Sequence, residues 1–497
     1  MRQAGSLTVY MLALAVPLAL PLAAAAQSGA PTPGAPALVE AARADDAQGV
    51  KALIDAGADV NARQGDGAGA LHWATHRDNL AIARLLIDAG ADPNAANDLD
   101  ATPLWLAAEN GSAPITELLL DAGANPDLTL AMGETPLMIA ARSGAAETVA
   151  LLLDAGASPN AAEREREQTA LMWAAAQGHA DVAQLLLDAG ADLTARSRVW
   201  DQLENTAGNT NTSGNFRMSH GGSTPLLFAA RGGDVETARV LIEAGADPNE
   251  TAAAGTSALV IAAHSGHGPL GIFLLEQGAD PNAAAAGYTA LHAAVLRSQA
   301  ALAEALLDHG AEVDALVEHG TPGRRFSADF SIRHQWIGAN AFWLAARYGE
   351  PEILHILAEH GADPHVMPAN RMSALQAAMG ITRNAAENRR NQVDAPEIDP
   401  DQLEQLTLDI VRRVLEMGVD VNLSDERGDT ALHHAVRIGF ASVVDLLASN
   451  GARLDATNER GETALALAES QLPIPGSNGL RASRPEIADL LRRLGAN

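Results

Sequence analysis

The chain has fifteen histidines and no cysteine, so any metal or acid–base chemistry would rest on imidazole and carboxylate. His264 and His267, in HSGH, are spaced as two metal ligands can be, but no third ligand follows at a matching interval. The missing cysteine excludes disulfides, thiolate catalysis, cysteine zinc sites and lipid attachment to an N-terminal Cys. There is no GxSxG, no HExxH and no glycine loop built to cradle phosphate, and Ser and Thr fall mostly where helices start or loops turn. The run Glu163-Arg164-Glu165-Arg166-Glu167 is most simply a solvated turn. No catalytic residue, metal ligand or cofactor site is expected.

Recognition chemistry is better represented. Of sixteen aromatic residues, Trp200, Phe216, Phe326, Phe330 and Trp336 fall in two short stretches, and Arg324, Arg325 and Arg333 accompany the last three. Trp beside Arg is the composition of binding hot spots. The competing reading is that each stretch folds back as an Ω-loop and buries its own rings. A second set of candidates recurs along the chain: Arg77, Arg142, Arg231, Arg297, Arg347 (followed by Tyr348) and Arg437. In a chain of formal charge −29, such arginines suit an acidic partner. They equally suit long stems laid over alanine-rich helices.

The elements that must position these residues repeat. In Thr135–Asn160, TPLMIAARSGAAETVALLLDAGASPN, Thr135 is an N-cap and Pro136 sits at N1. A short helix with a thin alanine face ends at Gly144, a second helix carries Val149, Leu151, Leu152 and Leu153, and Gly156 is a left-handed stop. The cap recurs at Thr102, Thr135, Thr169, Thr224, Ser257, Thr289, Asn340, Ser373, Thr430 and Thr463, in steps of 33, 34, 55, 33, 32, 51, 33, 57 and 33. Gly69 begins the series. A period near 33 marks stacked helical repeats.

The motifs TPLW at Thr102, TPLM at Thr135, TALH at Thr289 and Thr430, and GADPN at Gly90, Gly245 and Gly278 resemble the ankyrin-repeat family over nearly all of the chain after residue 36. GALH at Gly69 and NAFW at Asn340 depart mildly. The resemblance implies an all-α solenoid of stacked helix-turn-helix units with β-hairpin fingers, eleven units after an N-terminal half-repeat at 37–62. It implies that His72, His292 and His433 brace the turns between repeats. The stripe Trp73, Leu106, Ile139, Trp173, Phe228, Ile261 and Leu344 is expected to be core, with Trp73 and Trp173 oversized for the role. The recurrent arginines would then face the concave groove.

Three departures from the period stand out. Insertions near 196–222 and 316–338 fall at finger positions; a third, near 382–405, lies between the two helices of one repeat and reads as a polar loop. At the N-terminus, Arg2, the apolar run Leu7–Leu22 and Ala24-Ala25-Ala26 form a secretory signal expected to be cleaved after Ala26. Residues 27–36 are a Pro/Gly linker and 37–497 the repeat body. The style of sequence is bacterial, so export means the periplasm or beyond. Acidity argues against nucleic-acid binding, and no stable membrane insertion is expected after cleavage. The expected function is a monomeric, non-catalytic scaffold that binds a protein through the concave helix face and the two fingers. Trp336, Phe330, Phe326, Arg325, Arg324, Trp200, Phe216, Arg231, Arg297, Arg347 and Tyr348 are the contact candidates. The alternatives are a secreted effector aimed at a host protein, and a small-ligand receptor or enzyme with a pocket between the fingers.

Overall fold

The computed structural model describes residues 36–205, 215–320, 332, 334–380, 399–473 and 481–496. The signal segment and most of the linker therefore lie outside the described residues. The chain is mostly helical and divides into two compact units, the first ending at Arg164 and the second beginning at Glu165.

The local rules of the repeat are visible in one unit. Thr135 Oγ1 accepts the Met138 N–H at 3.2 Å. Pro136 opens the helix Pro136–Ser143, and Gly144 closes it at φ 74°, where a side chain would be strained. The first unit holds the helix pairs Ala37–Arg43 with Ala47–Asp55, Ala70–His76 with Leu80–Asp88, Pro103–Asn110 with Ala113–Asp121, and Pro136–Ser143 with Ala146–Asp154. The stretch read as a half-repeat is thus a complete helix pair. Its Pro36 cap makes no side-chain hydrogen bond.

The second unit starts with Ala170–Gln177 and Ala180–Asp188, continues through Pro225–Gly232 with Val235–Glu243, Ala258–Ser265 with Gly268–Glu276, Ala290–Leu296 with Ala300–Asp308, and Ala341–Tyr348 with Pro351–Glu359. It then places Ala374–Ala378 with Pro400–Glu416, Ala431–Ile438 with Ala441–Ser449, and Ala464–Glu469 with Pro485–Arg493. The expected loop at 382–405 is corrected here: residues 400–405 belong to a 17-residue helix. Leu403, Thr407, Ile410, Val411 and Val414 recur along its buried side, a 3.6-residue period hidden in a polar composition. Residues 381–398 lie outside the described residues.

Alanine and leucine let the layers approach. In Ala258–Ser265, every residue from Ala258 to Ala263 is buried. Trp73 is also wholly buried, so the oversized ring is core and does not protrude, whereas Trp173 is half-buried. Side chains then tie neighbours at the helix-pair ends. Asn61 Nδ2 donates to Gly90 O at 3.2 Å and its Oδ1 accepts the Asp92 N–H at 2.8 Å. Asn94, Asn249, Asn282 and Asn422 do the same for their own neighbours. Finger backbones also join, as in Asp98 N–H to Asp66 O at 3.0 Å and Ala253 N–H to Gly221 O at 3.0 Å.

One finger is a true ribbon. Strands β1 (Val199–Asn205) and β2 (Asn215–Gly221) pair antiparallel, with Trp200 opposite His220, Leu203 opposite Arg217 and Glu204 opposite Phe216.

Candidate interaction surface

The histidine of the TPLH turn is the first candidate to be settled. His72 Nδ1 accepts the Gly69 N–H at 3.1 Å, so Nε2 carries the proton that meets Ala101 O at 3.1 Å. Ala101 precedes the next N-cap, 29 residues on. His433 repeats the arrangement, accepting from Thr430 N–H at 3.2 Å and reaching Glu462 O at 3.1 Å. In two repeats whose slot is not histidine another donor serves: Trp343 Nε1 to Met372 O at 2.8 Å, and Gln376 Nε2 to Asp429 O at 2.6 Å. These side chains hold consecutive repeats together. Burial pushes the His72 and His292 imidazoles down to about 4, and that of His433 down as well.

His264 and His267 do not converge. The Tyr288 hydroxyl lies 3.4 Å from His264 Nδ1, and His267 Nε2 lies 3.0 Å from Arg231 O. Asp425, Asp429 and His434 do converge, their ligand atoms within 4.8 Å. Every carboxylate oxygen there already has donors: Asp425 takes the Arg427 and Asp429 N–H groups and His434 Nε2, and Asp429 takes Arg437 at 2.5 and 2.8 Å and Asn458 at 2.9 Å. Burial opposes ionisation of both aspartates, but these hydrogen bonds outweigh it and hold their carboxyls below the usual range. With a guanidinium seated in it, the cluster is a junction between repeats. The sequence signal was Asp429 and Arg437 flanking the cap Thr430, which reads on its own as ordinary surface charge.

The arginines of the first-helix ends divide by what holds them. Arg297 Nη2 donates to Ser265 O at 3.0 Å, covering the end of the preceding helix. Gly266 leaves room for it: a Cβ there would lie 2.7 Å from that nitrogen. Arg347 bonds Gly380 O and lies 5.6 Å over the Trp336 ring. Arg437 is paired with Asp429. Arg231 differs. It is exposed, its guanidinium lies 5.7 Å over the Phe228 ring, and no carboxylate among the described residues is paired with it. Partial desolvation lowers its pKa.

The two insertions treat their tryptophans oppositely. Trp336 is only 4% exposed; its ring lies 6.2 Å from Trp343 and 5.7 Å, edge-on, from Tyr348. The expectation of a projecting Trp336 anchor is therefore corrected, and Tyr348 is buried with it. The first helix of the Asn340 repeat supplies Trp343, Arg347 and Tyr348 along one face, and the ring completes that face. Trp200 is 44% exposed and stacks on His220, centroids 5.6 Å apart at 19°. Phe216 is half-buried on the same ribbon face. Arg324, Arg325, Phe326 and Phe330 lie outside the described residues.

The opposite ribbon face adds residues that the sequence reading passed over. Val199 is 54% and Leu203 62% exposed, and Arg217 opposite Leu203 is exposed too. The signal was present in the alternation of VWDQLEN, where positions 199, 201 and 203 share a face.

The residue pattern has known counterparts. A family model described as "Ankyrin repeats (3 copies)" matches residues 38–130, 104–197, 204–285, 226–317 and 404–482. The chain belongs to the ankyrin-repeat family. This ankyrin-repeat chain is 37% identical over 182 residues to human ankyrin repeat and SOCS box protein 16, covering 36% of the chain and 39% of that protein. It is 30% identical over 141 residues to neurogenic locus notch homolog protein 1 of Xenopus laevis, covering 26% of the chain and 6% of that protein. Over 79 residues it is 40% identical to human palmitoyltransferase ZDHHC17, covering 16% of the chain and 12% of that protein. The chain thus spans well under half the length of each. Ankyrin repeats imply protein partners. Among the described residues no helix is long and apolar enough to cross a membrane.

Proposed function

We propose that the chain is a non-catalytic scaffold, exported to the periplasm or beyond. It would hold a protein partner on the first-helix face of the repeats from Thr224 to Arg347, beside the β1–β2 finger. The observation that carries this reading is Arg231: an exposed guanidinium shelved on Phe228 without a carboxylate partner, in a chain of formal charge −29. A cation kept free of the many available acids is positioned for an acid on another molecule. The sequence pattern of a cleaved signal at residues 1–26 supports export.

The test is affinity capture from a native extract with the wild-type chain and Arg231→Glu, read by mass spectrometry. Charge reversal should cut recovery of the partner about tenfold, equivalent to about 1.4 kcal/mol, with the melting midpoint unchanged. Undiminished recovery would refute the groove as the contact.

A further inference from the structure

We infer that strand β1 receives an extended acidic segment of the protein partner as a third strand of the finger. The inference rests on the protein-binding reading above but concerns a different surface and mode of contact.

Three observations converge on β1. Its outer edge is unclaimed: among the described residues, no backbone hydrogen bond joins 199–204 to any segment but β2. Seven residues offer an edge about 23 Å long, and a row of open N–H and C=O groups is a template for another strand. The base of the ribbon is fixed on both sides, by Arg198 N–H to Arg166 O at 2.7 Å and by Ala253 N–H to Gly221 O at 3.0 Å, so the edge is presented from an anchored finger.

Apolar exposure is concentrated on the same strand. Val199, Trp200 and Leu203 are three of the eight large apolar side chains exposed among the described residues, and they occupy five consecutive positions. Val199 and Leu203 point to one face and Trp200 to the other, so an added strand would find an apolar neighbour on each face.

Charge selects the occupant. Both acids of β1 are engaged within the ribbon: Asp201 accepts the Ser219 hydroxyl at 2.7 Å, and Glu204 lies 3.0 Å from His220 Nε2. Arg198 and Arg217 are exposed, and no carboxylate among the described residues is paired with either. Arg217 stands opposite Leu203 on one face of the ribbon, and Arg198 immediately precedes β1 at its base. On a strongly acidic body the finger thus presents two guanidinium groups without a carboxylate partner beside exposed apolar side chains, and an extended segment that carries both acidic and apolar residues fits them.

The experiment uses the full chain and fluorescein-labelled peptides, read by fluorescence anisotropy. The probes are a short peptide of alternating Glu and Val, its Lys–Val counterpart, and two Glu–Val versions N-methylated either on every Val or on every Glu. Strand addition uses the N–H groups of one parity only. One methylated peptide should therefore lose at least about tenfold in affinity while the other binds as the parent does. The parent should bind at least about tenfold tighter than the Lys–Val peptide, and Leu203→Lys and Arg217→Glu should each lose a comparable factor with unchanged melting. Absent binding of the Glu–Val peptide, equal binding of the Lys–Val peptide, or indifference to both methylations would overturn the inference. So would a concentration-dependent dimer dissolved by Leu203→Lys, which would make a second copy the occupant. If the peptide series fails while Arg231→Glu still cuts partner capture about tenfold, strand addition is lost and the scaffold reading stands.

Discussion

Trp200 and Trp336 sit in insertions of similar length and composition, yet one ring meets solvent and the other is sealed in. The difference lies in the receiving helix. After Trp336 comes the helix Ala341–Tyr348, whose Trp343, Arg347 and Tyr348 form a slot on one face. Trp200 stands on a two-stranded ribbon, stacked on His220 across the strand and with no helix face to receive it among the described residues. An aromatic residue in an insertion is a binding candidate only when the adjoining repeat has no slot for it.

The comparison can be broken most forcefully at the sealed ring. Trp336→Ala should cost about 3–5 kcal/mol, as large core truncations do, seen as a lower urea midpoint. A loss below about 0.5 kcal/mol would mean that the slot does not hold the ring. Next comes acid. Burial brings the folded-state pKa of His72 and His292 to about 4, below the ordinary 6.5, so the native state favours the neutral imidazole. Their stabilisation is fully present above 6.5 and is lost as pH falls toward 4, by up to about 3 kcal/mol each at 1.36 kcal/mol per pH unit. His72→Gln, which copies the residue at Gln376, should flatten that part of the stability–pH curve; an unchanged slope would show that the buried imidazole is not held neutral. Trp343→Phe removes the indole N–H, strands Met372 O and leaves a small void where the second ring was, and should cost about 1–3 kcal/mol in the same melts. Smallest of all, Trp200→Ala should move stability by less than about 0.5 kcal/mol.

The sequence made the repeat legible because its rules are local: caps, helix stops and a period near 33 recur whatever the function. The TPLH slot was readable as a brace at His72 and His433, and the same geometry explains Trp343 and Gln376, whose residue types hid the role. The site was less legible. Arg297, Arg347 and Arg231 sit in nearly the same place in their repeats, and only the neighbours decide which one reaches solvent with its charge unused. Trp336 was misplaced because its partners lie on the helix that follows it, a contact that spacing does not disclose. Val199 and Leu203 were passed over because attention to rings and charges discounts aliphatic side chains, which stacked repeats normally bury.

The buried layers of the stack support, and what they leave free recognises: Arg231 on the helix face and the outward finger. Partner capture and thermal midpoints should be measured side by side for Trp200→Ala/Leu203→Ala and for Trp336→Ala. The account predicts a crossed result: the double variant loses capture at an unchanged midpoint, and the single variant melts early but captures the partner at temperatures where it is folded. Full capture by the double variant, with its midpoint unmoved, would contradict it.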